Sequence, residues 1–119
     1  MAKANKYMDE QSKTDIRDGM RIDWDVPIPM DDGIILRCDV FRPISDGKYP
    51  VIMTMGPYGK YLHFEDLYEE QYTTMMEDHP DVPAGSTNKY QNWEVVDPEK
   101  WVPDGYVVIR IDSRGAGRF

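Results

Sequence analysis

Cys38 is the single cysteine of this 119-residue chain, which excludes an intrachain disulfide and a thiolate metal cluster. Inside what reads as a strand, its thiol is expected to act as a small buried hydrophobe. The two histidines, His63 and His79, lie sixteen residues apart without ligand-like neighbours at short spacing, so no metal site is expected. Basic residues are scarce: 14 Lys and Arg face 22 Asp and Glu, a formal charge of −8. With no basic stripe for phosphates, no nucleic-acid partner is expected. Solubility accounts for the acidity more simply than a cationic partner does. No apolar run approaches the ~18 residues of a membrane helix, and the opening MAKANKYMDEQSKTD has no apolar core of a secretory signal,. A reduced, cytoplasmic protein with neither membrane partner nor cofactor is expected, its oligomeric state left open. Also missing is a Gly-x-Ser-x-Gly elbow: Ser12, Ser45, Ser86 and Ser113 lack the flanking glycine pair,. No complete Ser–His–Asp triad is expected within the chain.

What is present argues for a folded chain, since eight Tyr, three Trp and three Phe are more than a disordered segment carries. Residues 1–20 are polar and read as a flexible lead-in,. From Arg21, RIDWDVPIPM alternates Ile22, Trp24, Val26, Ile28 and Met30 against polar residues and two prolines, the period of a strand with one wet face. Pro27 and Pro29 cannot donate to a ladder, so this strand belongs at a sheet edge or its end is unpaired. Asp32-Gly33 signals a hairpin. The strand that follows puts Ile34, Leu36, Cys38 and Val40 on one face and Ile35, Arg37, Asp39 and Phe41 on the other. After a turn at Asp46-Gly47, PVIMTM is a continuous apolar run, the mark of a strand covered on both faces,.

Beyond Leu62, FEDLYEEQYTTMME spaces Phe64, Leu67, Tyr68, Gln71, Tyr72, Met75 and Met76 as one amphipathic helix, its stripe being core contact. A loop rich in Pro, Gly, Ser and Asn follows. Asp97 then reads as an N-cap with Pro98 at the first helical position, starting a short helix limited by Pro103. Tyr106 to Ile111 is a second buried strand, running into Asp112-Ser113-Arg114-Gly115-Ala116-Gly117. Those glycines give only G-x-G, so a structural loop is favoured over an anion site.

Between the third strand and the helix stands Gly56-Pro57-Tyr58-Gly59. A turn accounts for the glycines and the proline. It does not account for the tyrosine. At the C-terminal end of a strand, where open α/β sheets place their ligands, flanking glycines let the backbone turn sharply and leave the phenol exposed.

Three blocks, PMDDGIILRCDVFRP, GKYPVIMTMGPYGK and WVPDGYVVIRIDSRGAGRF, stand in order from about Pro29 to Phe119. Together they resemble the N-terminal part of the X-Pro dipeptidyl-peptidase-like acyl hydrolases, the CocE/NonD group that includes cocaine-esterase-like enzymes. The resemblance implies an α/β fold: the N-terminal, incomplete part of an α/β-hydrolase sheet, with an antiparallel hairpin (21–30 and 33–42) and then strands three (50–55) and four (106–111). Strand four would lie between two and three, with a right-handed crossover through a 64–78 helix if three and four are parallel,. Residues 21–119 would be the first portion of a catalytic domain that stops before the nucleophile elbow.

The implied activity is serine-dependent hydrolysis of a small-molecule ester or peptide-like amide. Tyr58 would donate its hydroxyl to the oxyanion of the tetrahedral intermediate. Gly56 and Pro57 would set its angle. Asp112, Arg114 and Gly115 would play a structural part, as an Asp–Arg pair or a turn. Nucleophile, acid and histidine would lie beyond Phe119, leaving residues 1–119 inactive alone. The rival expectation is a small acidic β-rich interaction domain without catalysis, its Gly-Pro-Tyr-Gly an ordinary turn.

Overall fold

The computed structural model describes residues 12–116. Five strands form one sheet: β1 Lys13–Arg17, β2 Met20–Pro29, β3 Ile35–Arg42, β4 Val51–Gly56 and β5 Val107–Asp112. Their order across the sheet is β1-β2-β3-β5-β4. β1, β2, β3 and β5 pair antiparallel in sequence, and β4 runs parallel to β5. The hairpin and the insertion of the last strand between its two predecessors are as the resemblance implies, with every strand number raised by one.

The extra strand is β1, which corrects the expectation of a flexible lead-in over the described part of residues 1–20; residues 1–11 lie outside the described residues. Asp18 and Gly19, both at positive φ (52° and 76°), form a two-residue hairpin loop that brings Arg17 opposite Met20. Two positive φ values in succession are what a type I′ turn demands, and Asp-Gly meets that demand at low steric cost. The turn is also held from outside: the Tyr90 hydroxyl donates to Asp18 Oδ2, and Lys89 Nζ lies 3.2 Å from Oδ1.

β2 is therefore not an edge strand as a whole. β1 pairs with it only from Met20 to Trp24, so Pro27 and Pro29 lie where β2 faces β3 alone. Within β2 a bulge changes which face the side chains reach. Ile22 is opposite Phe41 but Val26 is opposite Cys38, four residues on β2 against three on β3. Asp25, at φ +54°, takes the strain of the extra residue. Before the bulge, Met20 and Ile22 pack with Phe41, Val108, Tyr90 and Val102. After it, Val26 and Ile28 pack on the opposite face with Leu36, Cys38 and Ile111. One strand thus supplies two cores.

Three short helices lie between β4 and β5: α1 Phe64–Leu67, α2 Glu69–Asp78 and α3 Pro98–Trp101, the last running into a 3-10 turn at Val102–Asp104. The single 64–78 helix is corrected: it breaks at Tyr68, whose φ of −139° and ψ of 73° leave the helical region. Of its expected stripe only Tyr72 is buried, and it packs on His63 and Phe64. The sheet is covered instead by Tyr90, Val96 and Val102, from the following loop and the 3-10 turn. Asp97 does cap α3, accepting from Glu99 N at 3.1 Å, with Pro98 in the first turn. A second correction concerns β4. It is an edge strand, and Val51, Met53 and Met55 are 53%, 62% and 55% exposed, so its continuous apolar run is not covered on both faces. Among the described residues no helix is long and apolar enough to cross a membrane.

Two outcomes follow from this packing. Phe41, 1% exposed and in edge-to-face contact with Trp24 and Tyr90, is expected to cost about 3–5 kcal/mol in urea unfolding when replaced by Ala. Met53→Ala on the open face stays within about 0.5 kcal/mol, and equal losses at both positions would contradict the assigned core. The Asp18–Tyr90 contact makes stability pH-dependent at both ends. The Tyr90 hydroxyl holds Asp18 below its ordinary 3.8, with Lys89 assisting against burial; that contribution is present above about pH 4 and lost as pH falls through the lowered value. Burial, then the bond to Asp18, pushes Tyr90 above its ordinary 10.0; that contribution is complete below about pH 10 and lost above it. The stability difference between the unsubstituted chain and Tyr90→Phe should be widest between these limits and narrow outside them.

Candidate active-site cleft

β4 and β5 end side by side, Gly56 opposite Asp112, and Ser113 Oγ ties them by donating to Gly56 O at 3.0 Å. A cleft of about 390 Å³ opens at this rim, within the range of small-molecule sites. Its walls are Thr54 to Lys60 on one side, Asn92 to Val95 on another, and Arg110 and Ile111 below. Glu94 lines it from a left-handed backbone position, φ +58°.

Tyr58 lies on the wall of this cleft, 37% exposed. Its ring meets Tyr68 edge to face at 6.5 Å, Tyr68 lies 4.5 Å from Trp93, and Trp93 lies 5.1 Å from Phe64. The break between α1 and α2 is what places Tyr68 here. A hydrogen bond with Tyr58 raises the Tyr68 phenol above its ordinary 10.0, chiefly by stabilising its protonated form,. The flanking glycines act differently from expectation. Neither Gly56 nor Gly59 is at positive φ. A Cβ on Gly56 would meet nothing within 4 Å, whereas one on Gly59 would come within 3.1 Å of the Tyr61 ring. At Gly59 the chain folds back closely without using a left-handed residue.

The loop after β5 is knitted to the same rim. Asp112 is fully buried; its Oδ1 accepts the Lys60 N–H at 2.7 Å, and its Oδ2 has no partner among the described residues. The expected Asp112–Arg114 pair is not formed. Arg114 instead reaches Asp32 in the β2–β3 turn at 2.8 Å. Gly115, at φ +76°, closes a turn in which Ala116 N donates to Ser113 O at 3.0 Å.

Beneath the cleft lies a cluster of buried charges. Lys60 is 8% exposed, and its Nζ sits 2.5 Å from Asp25 Oδ1 and 2.9 Å from Asp39 Oδ1. Burial alone would lower the Lys60 pKa, but the two carboxylates outweigh it and hold the ammonium above its ordinary 10.5. Burial raises Asp39, against the pull of Lys60. Arg110, directly opposite Asp39 across β3 and β5, is pushed down to about 10 by burial. It donates to Val96 O at 2.8 Å and lies 5.1 Å over the Phe41 ring, so it fastens the covering loop to the sheet. Burial also raises Cys38, to about 11. His63 caps α1, accepting from Glu65 N at 3.0 Å through Nδ1 while Nε2 donates to Asn88 O.

Sequence reasoning reached Tyr58 and the loop after β5 but missed Lys60, Tyr68 and Trp93. Lys60 had one signal: a lysine directly after the turn, in a chain with aspartates inside two strand patterns.

These elements define a class: a mixed five-stranded sheet with few helices, forming part of an α/β-hydrolase fold with a cleft at the carboxyl rim of its parallel strands. The family model for the X-Pro dipeptidyl-peptidase (S15 family) matches residues 32–118, and the chain belongs to that family. It is similar to the cocaine esterase of Rhodococcus sp. (strain MB1 Bresler), 34% identical over 90 residues that cover 76% of this chain and 11% of that one. A solved CocE/NonD family hydrolase from Staphylococcus aureus is 32% identical, with a TM-score of 0.64, over 83% of this chain and 16% of the other. A second structure of that hydrolase gives a TM-score of 0.62. The chain spans a small fraction of these relatives' length.

Proposed function

We propose that residues 21–119 belong to the N-terminal portion of the catalytic domain of a serine-dependent acyl hydrolase that cleaves small-molecule esters or peptide-like amides. In this reading the Tyr58 hydroxyl stabilises the oxyanion, and the nucleophile, acid and histidine come from further polypeptide. The carrying observation is the Tyr58 phenol, partly exposed at the cleft on the carboxyl rim of β4 and β5. A donor already aimed before charge develops needs no reorganisation during reaction. Family membership and the two hydrolase relatives support the reaction class. The buried free thiol of Cys38 fits a reducing, cytoplasmic setting,.

A second reading, a binding domain without catalysis, has the open row Val51, Met53 and Met55 in its favour, since such a face could receive a partner,. The coding sequence past Phe119 separates the two. A Gly-x-Ser-x-Gly elbow is expected within ~100 residues, and purified 1–119 should give no acyl-enzyme burst with an activated ester. In the polypeptide that carries the elbow, Tyr58→Phe is expected to lower kcat by about 10²–10³. A burst from 1–119 alone, or an unchanged kcat in Tyr58→Phe, would overturn the reading.

A further inference from the structure

We propose that Lys60 is the positioning residue of the Tyr58 turn, fixing the phenol through a buried ammonium held by two strand aspartates rather than through contact with the substrate. The proposal rests on the oxyanion reading of Tyr58. It concerns what holds that residue in place.

Four contacts converge on Lys60, three of them from the strands β2, β3 and β5. Its ammonium lies between Asp25 on the β2 bulge and Asp39 on β3, at 2.5 and 2.9 Å. Its N–H donates to Asp112 at the end of β5, at 2.7 Å. Its carbonyl accepts from Asn92 Nδ2 at 2.5 Å. The Asp39 carboxylate and the Asp25 backbone are themselves held: Asp25 N donates to Asp39 Oδ1 at 3.0 Å, and Arg37 Nη1 donates to Asp25 O at 3.1 Å. At the other end of the turn, Gly56 is paired in the β4–β5 ladder and its carbonyl accepts from Ser113 Oγ. Only Pro57, Tyr58 and Gly59 lie between these anchors. Pro57 has a locked φ, and Leu62 N donates back to Gly59 O at 3.0 Å.

Stability alone does not explain such an arrangement. Taking an ammonium and two carboxylates out of water costs much of what their attraction returns, and apolar residues of similar volume often serve as well. What a charge cluster supplies and an apolar plug does not is directional restraint. Here that restraint falls two residues from the phenol.

The test uses the full-length polypeptide that carries these residues and an activated ester. Lys60→Met is expected to lower kcat at least tenfold with little change in KM, since the group acts on orientation rather than binding. Combined with Tyr58→Phe, it should add almost nothing to the loss from Tyr58→Phe alone, because a residue acting through the phenol has no effect once the hydroxyl is gone. Losses that multiply would make Lys60 a general structural residue and overturn the proposal.

Ring-labelled tyrosine NMR gives a reading independent of rate. In the unsubstituted protein Tyr58 should show one ring environment with cross-peaks to Tyr68. In Lys60→Met those signals should move to averaged values while Tyr90, in the core, keeps its own. Averaged Tyr58 signals before any substitution, or unchanged signals after it, would overturn the positioning role. If Lys60→Met does not fold, Lys60→Met/Asp39→Asn removes one uncompensated carboxylate and is held to the same outcomes. A Tyr58→Phe variant at full rate would remove the oxyanion reading, while the NMR result would still decide what Lys60 does.

Discussion

One ammonium group held between two aspartates is the constraint on which the cleft depends. Lys60 reaches down from the turn after β4 and meets Asp25 and Asp39 on strands that are distant in sequence. Its amide meets Asp112 on a third. The four strands β2 to β5 are thereby referred to one point just below the rim. Because the ammonium is desolvated, displacing it would leave like charges facing each other in a medium that screens them poorly. The turn carrying Tyr58 inherits that resistance to movement.

The bulge in β2 makes the arrangement geometrically available. An unbulged β2 would keep Ile22, Trp24, Val26 and Ile28 on one face and leave the other polar, as the two-residue period predicts. The extra residue at Asp25 lets Ile22 serve the core under Tyr90 and Val102, and Val26 and Ile28 serve the core around Cys38. It also aims the Asp25 carboxylate at Lys60. The backbone strain at φ +54° sits at a residue whose side chain and carbonyl are both engaged, where surrounding contacts can hold it.

Much of the fold was legible where the signals are local. Asp32-Gly33 marked the hairpin, Asp97-Pro98 marked the start of α3, and the block resemblance implied β5 between β3 and β4. The failures share a cause. β1 is polar enough to pass for a lead-in, yet Asp18-Gly19 carries the same turn chemistry as Asp32-Gly33. The bulge at Asp25 has no counterpart in the alternation of apolar residues. The helix break at Tyr68 lets that ring pack on Trp93, twenty-five residues ahead, a contact that helical spacing does not encode. β4 read as doubly covered because its apolar run was taken without regard to its place at the sheet edge. Of the site, Tyr58 was legible because a tyrosine between turn-formers lacks a structural reason. Lys60 was not, because its meaning lies in aspartates twenty-one and thirty-five residues earlier.

Family membership, the partial α/β-hydrolase sheet and the rim cleft agree with one another, and they bring the account to a single atom, Tyr58 Oη. The most direct measurement on the proposed function is a structure of the full-length polypeptide treated with a phosphonate that would trap a serine nucleophile as a mimic of the tetrahedral intermediate. The phosphonyl oxygen is expected about 2.7–3.1 Å from Tyr58 Oη, with the Lys60–Asp25–Asp39 contacts intact. A phosphonyl oxygen bound wholly by other donors, with Tyr58 Oη beyond hydrogen-bond reach, would contradict it.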